Sequence, residues 1–413
     1  MSTPSRDDCV ALDRDDPLAS FRDDFVLPDG VTYLDGNSLG ALPKTAEERM
    51  QNAIRQQWGQ GLIRSWNDAG WIDLPTKLGD KIAPMIGVGA GEVIVADSTS
   101  VNLFKLLIAA LRLNSDRRTI LMEARDFPTD LYIAQGVADL MGEDYECRMV
   151  PTDEILAALD ESVAVLALTH VNFKTGAMHD MAGLTKRAHS VGARTIWDLC
   201  HTAGAMPIDL AAAKADFALG CTYKYLNGGP GAPAFVYIPT AQQPTFHQPL
   251  TGWMGHAQPF SFVDDYHPAV DIKRFLSGTP NILSLVALEA SLDVWAQVDL
   301  NLLRAKSMAL GDLFIELVEA RCAGHGFILA SPRDATARGS QVSFRHEEGY
   351  AIMQALIARG VIGDFRAPDI VRFGFTPLYT RYVDVWHAAE VLYDIMATRA
   401  WDTPAFRTRA AVT

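Results

Sequence analysis

Between residues 93 and 240, short apolar runs alternate with stretches of helical periodicity. Val93-Ile94-Val95-Ala96 predicts a strand, and a long apolar helix is predicted over Val101–Leu113. Further strands are predicted at Arg118–Met122, Ser162–Leu168, Arg194–Trp197, Asp216–Leu219 and Ala234–Ile238. Continuous apolar strands separated by helical segments argue for an α/β fold, with a mostly parallel sheet covered on both faces. After residue 300 the texture changes. Leu302–Ala320 predicts one long amphipathic helix, followed by shorter strands at Gln341–Phe344 and Ile370–Phe373. The expected organisation is an arm over 1–50 that joins the smaller domain, a large α/β domain over 51–300, and a small α+β domain over 301–413.

Length and composition fit this picture. The 413 residues suggest two or three domains, and 49% hydrophobic with 21% charged residues describes a globular chain with a large core. Lys plus Arg total 36 against 50 Asp plus Glu, a formal net charge of −14. That balance gives no footprint for nucleic acid or a membrane surface, while leaving room for a local basic pocket. The five cysteines are scattered without a CxxC pair, and the ten histidines lack metal spacing, so neither a disulfide scaffold nor a metal site is expected. The N-terminus is acidic where a signal peptide would be basic, and no apolar run reaches 18 residues; a cytoplasmic protein is expected.

In open parallel sheets ligands bind beyond the carboxyl ends of the strands. Four such ends carry polar groups suited to one ligand. Asp97-Ser98-Thr99-Ser100 opens a helix, where free N–H groups and hydroxyls suit an anion, although a plain N-cap would read the same. Phe127-Pro128-Thr129-Asp130 offers an aromatic that could stack on a flat ring or simply cover core. Asp198 ends a buried strand with His201 three residues on, and a buried carboxylate must find a cation or several donors. Thr222-Tyr223-Lys224-Tyr225 precedes a glycine-rich turn, and a lysine with apolar and aromatic flanks suits nucleophilic attack on an aldehyde. An anion cradle, a ring stacker, an acid for a pyridine nitrogen and a Schiff-base lysine make up a pyridoxal-phosphate site.

Competing motifs are weaker. Gly36-Asn37-Ser38-Leu39-Gly40 matches G-x-S-x-G, but Gly40-Ala41-Leu42-Pro43 intervenes where a nucleophile elbow needs a helix. Lys174 also follows a strand, without the tyrosines or the glycine-rich turn.

Several segments resemble the kynureninases, a family within the fold-type I, class V pyridoxal-phosphate enzymes. They are Cys221-Thr-Tyr-Lys-Tyr-Leu-Asn-Gly-Gly-Pro-Gly231, Trp197-Asp-Leu-Cys-His201, Phe127-Pro-Thr-Asp130, Tyr33-Leu-Asp-Gly-Asn-Ser-Leu-Gly40, Ile63-Arg-Ser-Trp-Asn67, Trp253-Met-Gly-His256 and Arg372-Phe-Gly-Phe-Thr-Pro-Leu-Tyr379. The resemblance implies the fold-type I architecture, with a mainly parallel seven-stranded sheet and a smaller C-terminal domain. It implies hydrolysis of L-kynurenine to anthranilate and L-alanine with pyridoxal 5'-phosphate, in tryptophan catabolism or NAD-precursor metabolism. It further implies a homodimer with active sites at the subunit interface.

Carried onto this sequence, Lys224 holds the cofactor, Asp198 pairs with its ring nitrogen and Phe127 stacks on it. Thr99, Ser100 and Tyr223 bind phosphate, with Trp253 and Thr279 reaching in from the partner subunit. Pro128, Thr129, Asp130, Thr169 and His201 match further cofactor positions. Arg372 clamps the substrate carboxylate, and Trp66, Gly278 and Asn37 lie around the substrate. Trp66 with Gly278 resembles the kynurenine-preferring arrangement, as against 3-hydroxykynurenine. Tyr223 is the candidate proton donor. A cysteine desulfurase or an aminotransferase of the same class is the nearest rival; the former needs a mobile C-terminal cysteine, and Cys322 stands at a predicted helix end.

Overall fold

The computed structural model of the protein describes residues 3–409. Its main sheet has seven strands: β1 (Val93–Val95), β2 (Thr119–Glu123), β3 (Glu146–Val150), β4 (Val163–Thr169), β5 (Arg194–Asp198), β6 (Phe217–Gly220) and β7 (Phe235–Tyr237). They lie in the order β1-β7-β6-β5-β4-β2-β3. From β6 to β3 all pairs are parallel, while β7 runs antiparallel to both β6 and β1.

Alternation along the strands explains the two-faced core. Leu121, Leu166 and Trp197 point to one side, where Trp197 Nε1 donates to Thr185 Oγ1 at 3.1 Å on the helix Met181–Ser190. Their neighbours Ile120, Val165 and Ile196 point to the other, against the helix Thr99–Leu113. The hydrophobic pattern does not predict β3. It is an edge strand, largely exposed, and Glu146, Arg148 and the half-buried Cys147 break any apolar run.

A second, antiparallel sheet carries Ile328–Leu329, Gln341–Arg345, Ile370–Gly374 and Asp364–Arg366 in that order. The helices Leu300–Arg321 and Tyr382–Thr398 pack on it.

The N-terminal segment docks on this C-terminal unit. Thr32–Tyr33 pairs in parallel with Val361–Ile362, and Leu34 is buried in the same apolar cluster. The Asp13 carboxylate accepts from the Tyr382 and Val383 N–H groups at 2.6 and 3.0 Å, capping their helix. Lys306 and Asp16 form an ion pair of 2.6 Å with side chains only 5% and 3% exposed. Removing one member of a buried pair leaves the other charge unmet, at a cost of about 3–5 kcal/mol. Asp16→Ala is therefore expected to destabilise the protein by that amount in urea unfolding. Adding Lys306→Met should recover most of the loss; a single variant as stable as the parent would contradict the anchoring role.

Candidate active site

The carboxyl ends of β1, β2, β4, β5 and β6 open into one cavity of about 340 Å³. Thr99, Ser100, Phe127, Thr129, Asp130, Thr169, Asp198, His201, Tyr223 and Lys224 all line it. Asp97 of the anion segment also contributes to the wall, as do Phe173, Cys200 and Asn281, which the sequence does not single out.

Lys224 projects from the loop after β6. Its Nζ lies 3.0 Å from His201 Nε2 and 5.9 Å from the ring centroids of both Phe127 and Tyr223. Burial, and then the Lys224 charge, pushes the His201 imidazole well below its ordinary range, so it stays neutral. Burial pushes the Tyr223 phenol up, and it keeps its proton at neutral pH. The lysine loop is held by a close backbone approach: Gly40 N–H donates to Tyr223 O at 2.8 Å. A Cβ on Gly40 would stand 2.3 Å from Lys224 O and 2.6 Å from Asn227 Nδ2, so only glycine fits there.

Two carboxylates share the other side of the cavity. Asp198 accepts from Cys200 N–H at 2.6 Å. Asp130 is 4% exposed; burial, followed by the charges of Asp198 and Asp126, raises it far above the usual carboxylate range. Asp130 therefore holds a proton and hydrogen-bonds Asp198, leaving one negative charge between them.

The anion cradle is the start of the helix Thr99–Leu113, where Ser98 accepts from Val101 N–H. Asp97 stands at its lip in a left-handed conformation (φ 50°), and its charge would oppose an anion. Lys105, wholly buried in the second turn of the helix, answers it at 2.6 Å and also donates to Phe275 O at 2.9 Å.

Thr169 Oγ1 and His201 Nδ1 are buried and have no partner. Orphaned polar atoms on a cavity wall call for a polar ligand. An anion seat, a single shared negative charge for a ring nitrogen and an amine for an aldehyde fit pyridoxal 5'-phosphate.

The remaining site residues lie outside this cavity. Arg372, on Ile370–Gly374, is 1% exposed and forks onto Asp364, with Nε–Oδ1 at 2.7 Å and Nη2–Oδ2 at 2.5 Å. Asn37 is buried beside it; with its amide oxygen turned to Arg372 it accepts from Nε at 3.1 Å and donates to Asp35 at 3.2 Å. Burial, with Asp364 beside it, raises Asp35 to about 7. Pro128 is exposed at the first turn of its helix. Trp66 packs edge-on against Trp71. Gly278 and Thr279 line a separate small cavity with Asp97 and Pro233. Trp253 rests against the exposed rings of Phe260 and Phe262.

Gly36–Gly40 does not form a nucleophile elbow. Ser38 hydrogen-bonds Asp364 and Arg372, so the glycine-rich motif serves the arginine and the lysine loop.

Comparison with known proteins decides the family. The kynureninase of Burkholderia pseudomallei is 56% identical over 99% of this chain and 100% of its own length. The kynureninase of Pseudomonas fluorescens is 54% identical with the same coverage. The chain belongs to the kynureninase family. Residues 303–392 also match the family described as Kynureninase C-terminal domain.

Solved structures give the fold. A cysteine desulfurase from Thermococcus onnurineus superposes with a TM-score of 0.76 at 20% identity, covering 92% of this chain and 98% of its own. The cystine C–S lyase C-DES gives 0.70 at 18% identity, covering 89% and 98%. This chain thus shares the fold of these two enzymes. Cys322 separates this chain from a desulfurase: it is 3% exposed at a helix end, and burial raises its thiol to about 11, where a mobile thiolate is needed. Among the described residues, no group of three or more His, Cys, Asp or Glu could hold a metal ion, and no helix is long and apolar enough to cross a membrane.

Next to Thr169, His170 is buried against Trp197 and hydrogen-bonded to Thr202 Oγ1 at 3.2 Å. Burial lowers it from 6.5 to about 4. Below pH 6.5 the unfolded chain binds a proton that the folded one refuses, so this stability is full above 6.5 and lost as pH falls towards 4. The slope is at most about 1.4 kcal/mol per pH unit. Urea midpoints of the parent and His170→Gln should converge as pH falls through that window; parallel profiles would show that His170 does not titrate there.

Proposed function

We infer that the chain hydrolyses the Cβ–Cγ bond of L-kynurenine, giving anthranilate and L-alanine with consumption of one water. Membership of the kynureninase family carries this reading, and the cavity chemistry agrees with it. When bound, pyridoxal 5'-phosphate supplies an aldehyde for the substrate amine and a ring that accepts electron density from the α-carbon.

The chain's own residues do the rest. Thr99, Ser100 and the helix start would hold the phosphate, with Tyr223 beside them. Asp198, sharing the Asp130 proton, would pair with the ring nitrogen, and Phe127 would cover the ring. Lys224 would hold the cofactor aldehyde, and its amine would take and return the α-proton of the substrate, with neutral His201 as its hydrogen-bonded neighbour. Cleavage next to the ketone requires water to add to that carbonyl, and the departing β-carbon must then be protonated. The phenol of Tyr223, which keeps its proton, suits that donation. Arg372 and Asn37 belong to the end of the site that receives the substrate carboxylate.

Anthranilate fluorescence with stoichiometric alanine, after mixing holoenzyme with L-kynurenine, tests the reading directly. Lys224→Ala should lower turnover by about a thousandfold or more, and Tyr223→Phe by about a hundredfold. A Lys224→Ala protein of full activity would overturn the assignment.

The working unit is a homodimer in this reading. Trp253 lies on Phe260 and Phe262, which are 61% and 75% exposed, and Leu62 and Ile63 are likewise 61% and 77% exposed. Apolar surface of this extent on one chain suits a second copy. If Trp253 completes the neighbouring site, mixing inactive Lys224→Ala with weakened Trp253→Ala subunits should restore activity, because one site per mixed dimer is intact. No gain on mixing, with exchange verified by sedimentation of tagged subunits, would place Trp253 in its own subunit's site.

A further inference from the structure

Two cysteines 21 residues apart in the sequence meet at one wall of the active-site cavity. β5 and β6 run parallel with Asp198 opposite Leu219, and Leu199 N–H continues the ladder by donating to Leu219 O at 2.8 Å. Two positions further on, Cys200 comes beside Cys221. Cys221 N–H donates to Cys200 Sγ at 3.1 Å, and Cys221 Sγ lies 3.8 Å from Cys200 O. The two thiols also hydrogen-bond each other. Neighbouring strands stand about 4.7–4.9 Å apart, inside the roughly 4.4–6.8 Å of Cα separation that a disulfide spans.

The other thiols of the chain are placed differently. Burial raises Cys9, Cys147 and Cys322 each to about 11, and none of the three lines the cavity. Cys221 goes the other way: burial opposes its ionisation, but the hydrogen bond from Cys200 and the charge of Lys224 outweigh it and lower the thiol. Cys200 keeps the proton, raised by that same hydrogen bond and then by burial. One sulfur is thus an electron-rich nucleophile. The other, on a residue 8% exposed, stands on the cavity wall where a small solute can reach it.

The pair also stands among the groups that fit the cofactor. Cys200 Sγ lies 3.9 Å from Thr99 Oγ1 at the anion seat, and Cys200 N–H holds Asp198 Oδ1 at 2.6 Å. Cys221 opens the segment Cys221-Thr222-Tyr223-Lys224. Turning the Cys200 sulfur onto Cys221 would draw it off Thr99 and tie together the loops that carry Asp198 and Lys224.

We propose that Cys200 and Cys221 are an oxidation site within the cofactor pocket: a hydroperoxide closes them into a disulfide when pyridoxal 5'-phosphate is off the protein, and bound cofactor shields them. The Cys200 sulfur, passing its proton to Cys221, attacks one peroxide oxygen. The O–O bond breaks, leaving a sulfenic acid on Cys200, and the departing hydroxide takes the proton from Cys221 as water. The Cys221 thiolate then attacks the Cys200 sulfur, the S–O bond breaks, and hydroxide leaves. From one thiol, one thiolate and one hydrogen peroxide, the products are the disulfide, one water and one hydroxide; two electrons pass from the sulfurs to the peroxide. The proposal requires the cofactor and not L-kynurenine.

The test treats the full chain with hydrogen peroxide in two forms, loaded with pyridoxal 5'-phosphate and stripped of it. Free thiols are then blocked after unfolding, and the cysteines are mapped by peptide mass. The stripped form should give a linked Cys200–Cys221 peptide, lighter by two hydrogens, at least about tenfold faster than the loaded form. Dithiothreitol should reverse the link, and cofactor absorbance on readdition should recover fully only after that reduction. Cys147, half-buried on the edge strand, reports general oxidation in the same digest. In Cys200→Ala, Cys221 has lost its partner and should still be blocked as a free thiol after peroxide. The proposal is overturned by the absence of the linked peptide from the stripped form, by linking at the same rate in both forms, or by full cofactor uptake with the disulfide intact. A chain that takes up no cofactor, seen by absorbance before peroxide is added, would sink the cofactor reading instead, and the linked peptide would still report whether the two cysteines join.

Discussion

A carboxylate withdrawn from water must be met by a proton or a cation, and the centre of this protein is arranged by that requirement. Asp130 meets it by keeping a proton and handing a hydrogen bond to Asp198 on the cavity wall. Asp97 meets it with Lys105, so the carboxylate just ahead of Thr99–Leu113 is answered from within that helix. Asp364 meets it with two arginines from its own hairpin. Each solution fixes the position of a group the chemistry uses, so electrostatic necessity and catalytic geometry are the same set of contacts.

The parallel sheet supplies the stage for this. Strands running in one direction bring their carboxyl ends to one edge, and the polar residues that cannot remain inside an apolar strand emerge there together. The small sheet closes over that edge from the other side, with Gln341 donating to Phe173 O at 3.0 Å and Ser343 to Lys174 O at 2.6 Å. The loop 172–176 is therefore a shared wall, held by the large sheet at one end and by the small sheet along its length.

Much of this was legible in the sequence, and the reasons are local. The buried strands β1, β2, β4, β5, β6 and β7 are each centred on an apolar run, and the residues proposed to hold the cofactor stand at their ends. β3 escaped because an exposed edge strand has no apolar run to find. The roles of Asp364 and Lys105 escaped for a different reason. Nothing in the order of residues states that a carboxylate at 364 meets a serine at 38, or that a helix lysine turns inward to a strand-end aspartate. Such pairings are made by tertiary contact. Gly40 lies between these cases: its motif was visible, but the carbonyl of Lys224 that demands a glycine was not.

The docking of the N-terminal arm has a consequence for synthesis. The arm's partners, Lys306, Val361–Ile362 and the helix starting at Tyr382, all lie far downstream of it in the sequence. At roughly 5–20 residues per second, the ribosome leaves the arm without its docking site for tens of seconds. The seven-stranded sheet can form in that interval, because all its strands precede residue 238. Gly40, held by Tyr223 O, is thus offered its place on the lysine loop well before Asp16 meets Lys306. The arm would then be threaded from its inner end outwards, and the last event on the chain would be the closing of its outer anchor.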